Sequence, residues 1–182
     1  KVLKGKWKGA RIFSLTLRER FTCPLSCHHW DDCYGNNMPF AHRFNYGPDL
    51  EDKLTEEVAA LCDKHDKVAI RLHVLGDFPT LGYVRFWDGL MCVHPNLHVW
   101  GYTARTDRIG KEVMSLNLRY PTRWAVRISA SNDSNGPTEW YAAEEAFEGK
   151  SFDCPEQTGK AKSCGDCGLC WQSPKTVRFL SH

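Results

Sequence analysis

A chain of 182 residues is read as one domain of ordinary size, long enough to bury a core without disulfide staples. Its formal net charge of +2 provides no global field for gathering nucleic acid, and no apolar stretch is long enough to span a bilayer. The nine cysteines therefore need a use other than stapling. Their count is odd, and most of them lie in two groups toward the ends of the chain. The charged start Lys1-Val-Leu-Lys4-Gly-Lys6-Trp-Lys8 shows no hydrophobic signal segment. Reduced, metal-binding thiols in a cytoplasmic protein are the expectation.

Short β-rich runs alternate with helical patterns, as in βαβ units built around a parallel sheet. The first run is Arg11–Leu17, and the loop that follows carries Cys23, Cys27 and Cys33 among His28, His29, Asp31 and Asp32. Three thiols leave one position of a four-coordinate site for a substrate, a cofactor or another protein ligand. A helix is expected over Asp49–His65, where Leu50, Leu54, Val58 and Leu61 recur at helical spacing behind acidic Asp49, Glu51 and Asp52. The second strand, Val68–Val74, runs into His73, Gly76 and Asp77, which share one predicted rim. Asp77 is either a ligand-binding carboxylate or the cap of the next helix, Leu81–Val93. The third strand, Leu97–Thr103, ends near Arg105, a donor suited to an anionic or polar ligand. Helix Asp107–Leu118, strand Trp124–Ser129, helix Thr138–Phe147 and a short closing strand Thr176–Leu180 complete the reading. Cys62 and Cys92 fall on helical patterns and are expected in the core.

The densest chemistry lies in Cys154-Pro155 followed by Cys164-Gly-Asp-Cys167-Gly-Leu-Cys170-Trp171. Successive cysteines two residues apart, with a remote cysteine before proline, follow ferredoxin-type ligation of a [4Fe–4S] cluster by Cys154, Cys164, Cys167 and Cys170. A structural zinc site with four cysteine ligands is the rival, although zinc more often uses two separated Cys-x-x-Cys pairs. Cys23, Cys27 and Cys33 either form a second metal site or share the first.

Eight βα units need about 250 residues, so the expected fold is α/β, a small or incomplete TIM-like βα barrel or an open parallel sheet, with a cysteine-rich C-terminal segment. The expected organisation is one βα domain over 1–182, with a cysteine-rich loop 21–35 and a cysteine-rich metal-binding segment 152–171. Either architecture puts its chemistry at the carboxyl ends of the strands, which makes His73, Asp77 and Arg105 the ligand-binding candidates.

The sequence resembles the "gene product 88" family of uncharacterised tailed-phage proteins. The residues that carry the resemblance are Cys33-Tyr34, Gly76-Asp77, Trp100-Gly-Tyr-Thr103-Ala-Arg105, Val126-Arg127-Ile-Ser129-Ala130, the Cys154–Trp171 block and the final His182. The resemblance implies a phage protein acting in the host cytoplasm, without supplying an activity. A weaker similarity points to radical S-adenosylmethionine enzymes, which hold a cluster on the loop after strand one of a partial barrel. Here the spacing departs, being Cys-x3-Cys-x5-Cys rather than Cys-x3-Cys-x2-Cys, and Leu75-Gly76-Asp77 stands where those enzymes carry Gly-Gly-Glu.

The function expected is that of an iron–sulfur protein, stabilised by its cluster and binding RNA or a host protein. Lys1–Lys8, Trp7, Trp30 and arginines such as Arg119, Arg123 and Arg127 are the candidate contact residues for such a partner. A radical-type enzyme and a structural zinc protein are the alternatives.

Overall fold

The computed structural model describes residues 1–129, 141–143 and 151–179. Strand β1 (Arg11–Leu15) leads into a single turn of helix, α1 (Glu19–Thr22), and a 3-10 turn at Tyr34–Asn37. Then follow α2 (Pro48–Lys64), β2 (Val68–Leu72), α3 (Leu81–Val93), β3 (Leu97–Thr103), α4 (Arg108–Arg119) and β4 (Trp124–Ser129). Three short strands, β5 (Tyr141–Ala143), β6 (Ser151–Asp153) and β7 (Thr176–Arg178), join the same sheet, and α5 (Cys164–Cys167) and α6 (Leu169–Gln172) lie between β6 and β7.

The helices begin where local chemistry dictates. Pro48 occupies the first turn of α2 with Asp49 and Glu51 behind it, and the buried stripe Leu50, Leu54, Val58 and Cys62 faces the sheet. The Thr80 hydroxyl caps α3 by accepting from the Tyr83 amide at 3.1 Å. Asp107 caps α4, its carboxylate accepting from the amides of Ile109 and Gly110 at 2.9 and 3.1 Å. Asn117 then ties α4 to β4, donating to the Val126 carbonyl and accepting from the Val126 amide at 2.9 and 3.2 Å.

Every pairing in the sheet is parallel, in the order β1-β2-β3-β4-β5-β7-β6. Among the described residues the order is open, with β1 and β6 at the edges, so a closed TIM barrel is not formed. The chain is a mixed α/β protein on a parallel sheet. A further correction concerns the second half. Tyr141–Ala143, inside the expected helix Thr138–Phe147, is a strand paired with β4 and β7, and the rest of that helix lies outside the described residues. The expected closing strand Thr176–Leu180 holds β7, Thr176–Arg178, which pairs with β5 on one side and β6 on the other.

One face of the sheet is covered by α2, α3 and α4. Leu72, Leu97, Val99, Trp124 and Val126 are buried there against Val58, Val84, Trp87 and Leu116, each fully buried side chain contributing about 1.5–3 kcal/mol. The opposite face carries Ala69, Trp100 and Ala125, covered by Val2, Trp7 and Trp171. Trp7 stacks on Trp171 with ring centroids 5.0 Å apart and donates its indole N–H to the Thr122 carbonyl at 2.7 Å. This corrects the expectation of an exposed Trp7, which is 1% exposed. The basic cluster at Arg119–Arg127 is also corrected. Arg119 pairs with Asp88, Arg123 donates to the carbonyls of Met91, His94 and Leu97, and Arg127 is fully buried. Cys62 is buried as expected, whereas Cys92 is exposed, its sulfur 3.0 Å from the Tyr120 hydroxyl.

Candidate thiol-lined site

A cavity of about 500 Å³ opens at the carboxyl ends of the strands, where open parallel sheets bind their ligands. The loop after β1 brings Cys23, Cys27 and Cys33 to it, and β2 with its following turn brings Arg71, His73 and Asp77. Tyr102 of β3 and Ser129 of β4 complete the near wall, and Glu156 and Gln157 approach from the segment after β6.

The cysteine loop is held by charge-assisted bonds. Arg43 pairs with Glu19 of α1 at 2.8 Å and donates to the carbonyls of Gly35, Met38 and Ala41, so the chain beyond Cys33 is fastened to the helix that precedes Cys23. Arg20 donates to the Trp30 carbonyl and lies 4.9 Å over its ring, and His29 meets Asp32 at 3.2 Å. Burial, reinforced by the negative charge of Asp77, pushes the Cys23 thiol far above its usual range. Burial also raises Cys27, with Asp77 again adding to the shift. The thiols of Cys23, Cys27 and Cys33 act electrostatically on one another, so they share one neighbourhood.

His73 is 4% exposed. Its Nε2 lies 3.1 Å from the Tyr83 hydroxyl, while its Nδ1 is buried with no hydrogen-bond partner among the described residues. Burial pushes its pKa down to about 3, which keeps the ring neutral. Asp77 is a clamp. Its carboxylate accepts from the Phe78 amide at 2.7 Å, the Thr103 hydroxyl at 2.6 Å and the Ala104 amide at 2.8 Å. Burial outweighs those bonds and raises its pKa to about 6. The turn that carries it depends on Gly76 at φ +88°, where an added Cβ would lie 2.7 Å from both the Leu17 Cβ and the Thr22 hydroxyl. Arg105 lies outside the cavity lining. It brackets the surroundings by donating to the carbonyls of Phe78 and Thr22 and pairing with Asp107 at 3.0 Å.

The C-terminal thiols form a second neighbourhood, on the sheet face away from α2–α4. Ser163 caps α5, and Gly168 at φ +69° ends α5 and opens α6, so Cys164, Cys167 and Cys170 lie on two consecutive turns. Cys154 follows β6, and Cys154, Cys164, Cys167 and Cys170 influence one another electrostatically. Burial pushes Cys170 up to about 11, although the Tyr102 hydroxyl, which donates to its sulfur at 3.1 Å, and the Arg127 charge oppose the rise. Arg127 fastens this segment to β4, donating to the backbone carbonyls of Cys170 at 3.0 Å, Lys175 at 2.8 Å and Ser173.

Tyr102 touches both neighbourhoods, lining the cavity while bonding Cys170. Among the described residues no three His, Cys, Asp or Glu side chains converge as the ligands of a single ion. Such convergence is what zinc demands, with Zn–S of about 2.3 Å. The four C-terminal thiols are of the donor type that a cubane takes, and the N-terminal group offers three.

The chain is therefore a parallel α/β protein with a thiol-lined cavity at its strand ends. It belongs to the family described as Gene product 88, whose model matches residues 34–173. The matched span holds His73, Asp77, Arg105 and the four C-terminal cysteines, with Cys23, Cys27 and Cys33 just before it. No curated protein and no solved structure matches the chain. No helix among the described residues is long and apolar enough to cross a membrane.

Arg71 lines the cavity too, a role that sequence reasoning does not reach. The available signal was a lone charge inside an otherwise apolar strand, Val68-Ala-Ile-Arg71-Leu.

Proposed function

We propose that this chain is an iron–sulfur protein with a ligand-accepting cavity, acting in the cytoplasm of a phage-infected host. The observation that carries the reading is the meeting of Cys23, Cys27 and Cys33 with His73 and Asp77 in one cavity at the carboxyl ends of parallel strands. Cys154, Cys164, Cys167 and Cys170 are the proposed ligands of a [4Fe–4S] cluster, on their spacing and shared neighbourhood. The three N-terminal thiols are the proposed ligands of a second cluster, which when bound supplies an iron with one position left for a ligand. Burial keeps Cys23 and Cys27 protonated, and metal binding draws those protons off. An incomplete βα barrel is the finer fold reading, supported by the parallel pairing and by the helices on one face.

Metal and sulfide analysis with electron paramagnetic resonance on anaerobically purified protein tests the proposal. Iron and inorganic sulfide are expected together. Zinc without sulfide would replace the cluster by a structural zinc site. Cys167→Ser is expected to remove the C-terminal cluster and lower the melting temperature, because ligation ties segment 152–171 together. Full iron content with an unchanged melting temperature would remove the assignment.

A radical S-adenosylmethionine-like enzyme is the second reading, favoured by the position of Cys23, Cys27 and Cys33 on the loop after β1. Asp77 counts against it, since both carboxylate oxygens are already engaged by Phe78, Thr103 and Ala104. The expected result is no change in the reduced paramagnetic spectrum when S-adenosylmethionine is added. A shift followed by formation of 5′-deoxyadenosine makes the enzyme reading the better one. The exposed Lys1, Lys4, Lys6 and Lys8 support a binding module for RNA or a host protein, for which salt-sensitive RNA retention is the test.

A further inference from the structure

Arg71 stands in a row of residues across the sheet, register-paired with Ser14 on β1 and Trp100 on β3. Its guanidinium lies 5.3 Å from the Trp100 ring centroid and 6.0 Å from that of Tyr102. Those aromatic faces hold the cation in a fixed orientation without neutralising it. Its Nε is buried and meets no acceptor among the described residues. The carboxylates near it are already committed or stand outside. Glu19 pairs with Arg43, Asp32 with His29, Asp77 is filled by three donors, and Glu156 is exposed at the cavity wall. His73 is among the residues that line the same cavity, and its Nδ1, buried behind that lining, is a second polar atom without a partner among the described residues. Buried polar atoms left without partners are costly unless a ligand meets them.

We infer that the cavity takes an organic anion whose carboxylate or phosphate group is bound by Arg71, with His73 hydrogen-bonding a polar group of the same ligand. The planar guanidinium fork suits either oxyanion. The inference deepens the ligand-accepting reading of the cavity, but it stands whether or not the thiols hold iron.

Isothermal titration calorimetry on the full chain, with its native metal content, tests the inference through two probe pairs. AMP against adenosine reads a phosphate, and succinate against succinamide reads a carboxylate. At least one anion is expected to bind about tenfold or more tightly than its neutral counterpart. Which pair shows the preference identifies the oxyanion. Arg71→Gln should abolish the preference while leaving the neutral probe unaffected, and Arg71→Lys should keep part of it. If Arg71→Gln does not fold, suppression of the wild-type preference by inorganic phosphate at constant ionic strength serves instead. Equal affinity for anion and neutral partner, no binding of any probe, or a preference that survives in folded Arg71→Gln overturns the inference. Iron and sulfide content measured on the same samples separates the two claims. Metal without anion preference sinks only the anion site, and anion preference without metal sinks only the cluster.

Discussion

The side of the sheet under α2, α3 and α4 and the side that carries the cysteines are built from the same strands by opposite rules. The helix side is apolar nearly throughout, with Leu72, Leu97, Val99 and Val126 packed on helical stripes. On the other side, alternate residues of those strands are Arg71, Trp100, Tyr102 and Arg127, and short turns rather than long helices cover them. Hydrophobic burial holds the first side. Directed hydrogen bonds from the buried Arg127, and aromatic stacking, hold much of the second. One side therefore tolerates exchange among apolar residues of similar volume, and the other does not.

A large loss of stability is expected on the helix side. Leu97→Ala, at a fully buried position, should cost about 2–5 kcal/mol in denaturant unfolding. It should leave the metal content and spectrum of the folded fraction unchanged. A change in metal content with little loss of stability would mean that the two sides are not separable.

Arg127→Met is the matching change on the cysteine side. It keeps length and apolar bulk but leaves three backbone carbonyls of the C-terminal segment without their donor, at about 1–3 kcal/mol for each buried acceptor left unsatisfied. Part of that cost returns as the segment loosens toward water. Faster proteolysis or hydrogen exchange across residues 164–175, with β2 and β3 still protected, is the expected signature. Uniform loss of protection would show that the segment and the helix-covered core unfold as one.

The helix-covered half was legible because its physics is local. The Leu50, Leu54 and Val58 stripe marks α2, and strands rich in valine and isoleucine mark β2 to β4 to within about two residues, as periodicity allows. The rim was legible in part. The carboxyl end of β2 pointed to His73 and Asp77, and both line the cavity. The hydrogen bond from Thr103 to Asp77 spans 26 residues, and no local pattern encodes it. Trp7 reads as exposed among lysines, yet the Ala10 amide donates to the Trp7 carbonyl and the Val2 amide to the Ala10 carbonyl. That turn folds the segment back and drives the indole onto Trp171. β5 and β6 have three residues each, too short for alternation to register.

Asp77→Asn tests the junction between the two sides. Asparagine keeps one acceptor oxygen but turns an amide donor toward another backbone donor, most directly the Ala104 N–H now bonded at 2.8 Å. A loss of about 1–3 kcal/mol is expected, larger than a simple cap exchange gives. Stability within about 0.5 kcal/mol of wild type would mean that the second carboxylate oxygen adds little to the junction.

The smallest effect is a slope. Burial lowers the native pKa of His73 from 6.5 to about 3, so its contribution to stability is present above pH 6.5 and is lost as the pH falls below that value. Burial raises that of Asp77 from 3.8 to about 6, so the native state holds an extra proton between those values. That contribution is present at low pH and is lost as the pH rises through about 6. Between about pH 4 and 6 the two oppose each other, each with a limiting slope of about 1.4 kcal/mol per pH unit. Urea unfolding across this window should therefore show His73→Phe losing stability, relative to wild type, as the pH rises, because the Asp77 term is left uncompensated. Asp77→Asn should gain stability relative to wild type over the same interval, because only the His73 term remains. Groups elsewhere contribute alike to all three proteins and cancel in the differences. Three parallel profiles would mean that His73 and Asp77 titrate in the native protein as they do in the unfolded chain, and that the rim is open to water where the structure has it closed.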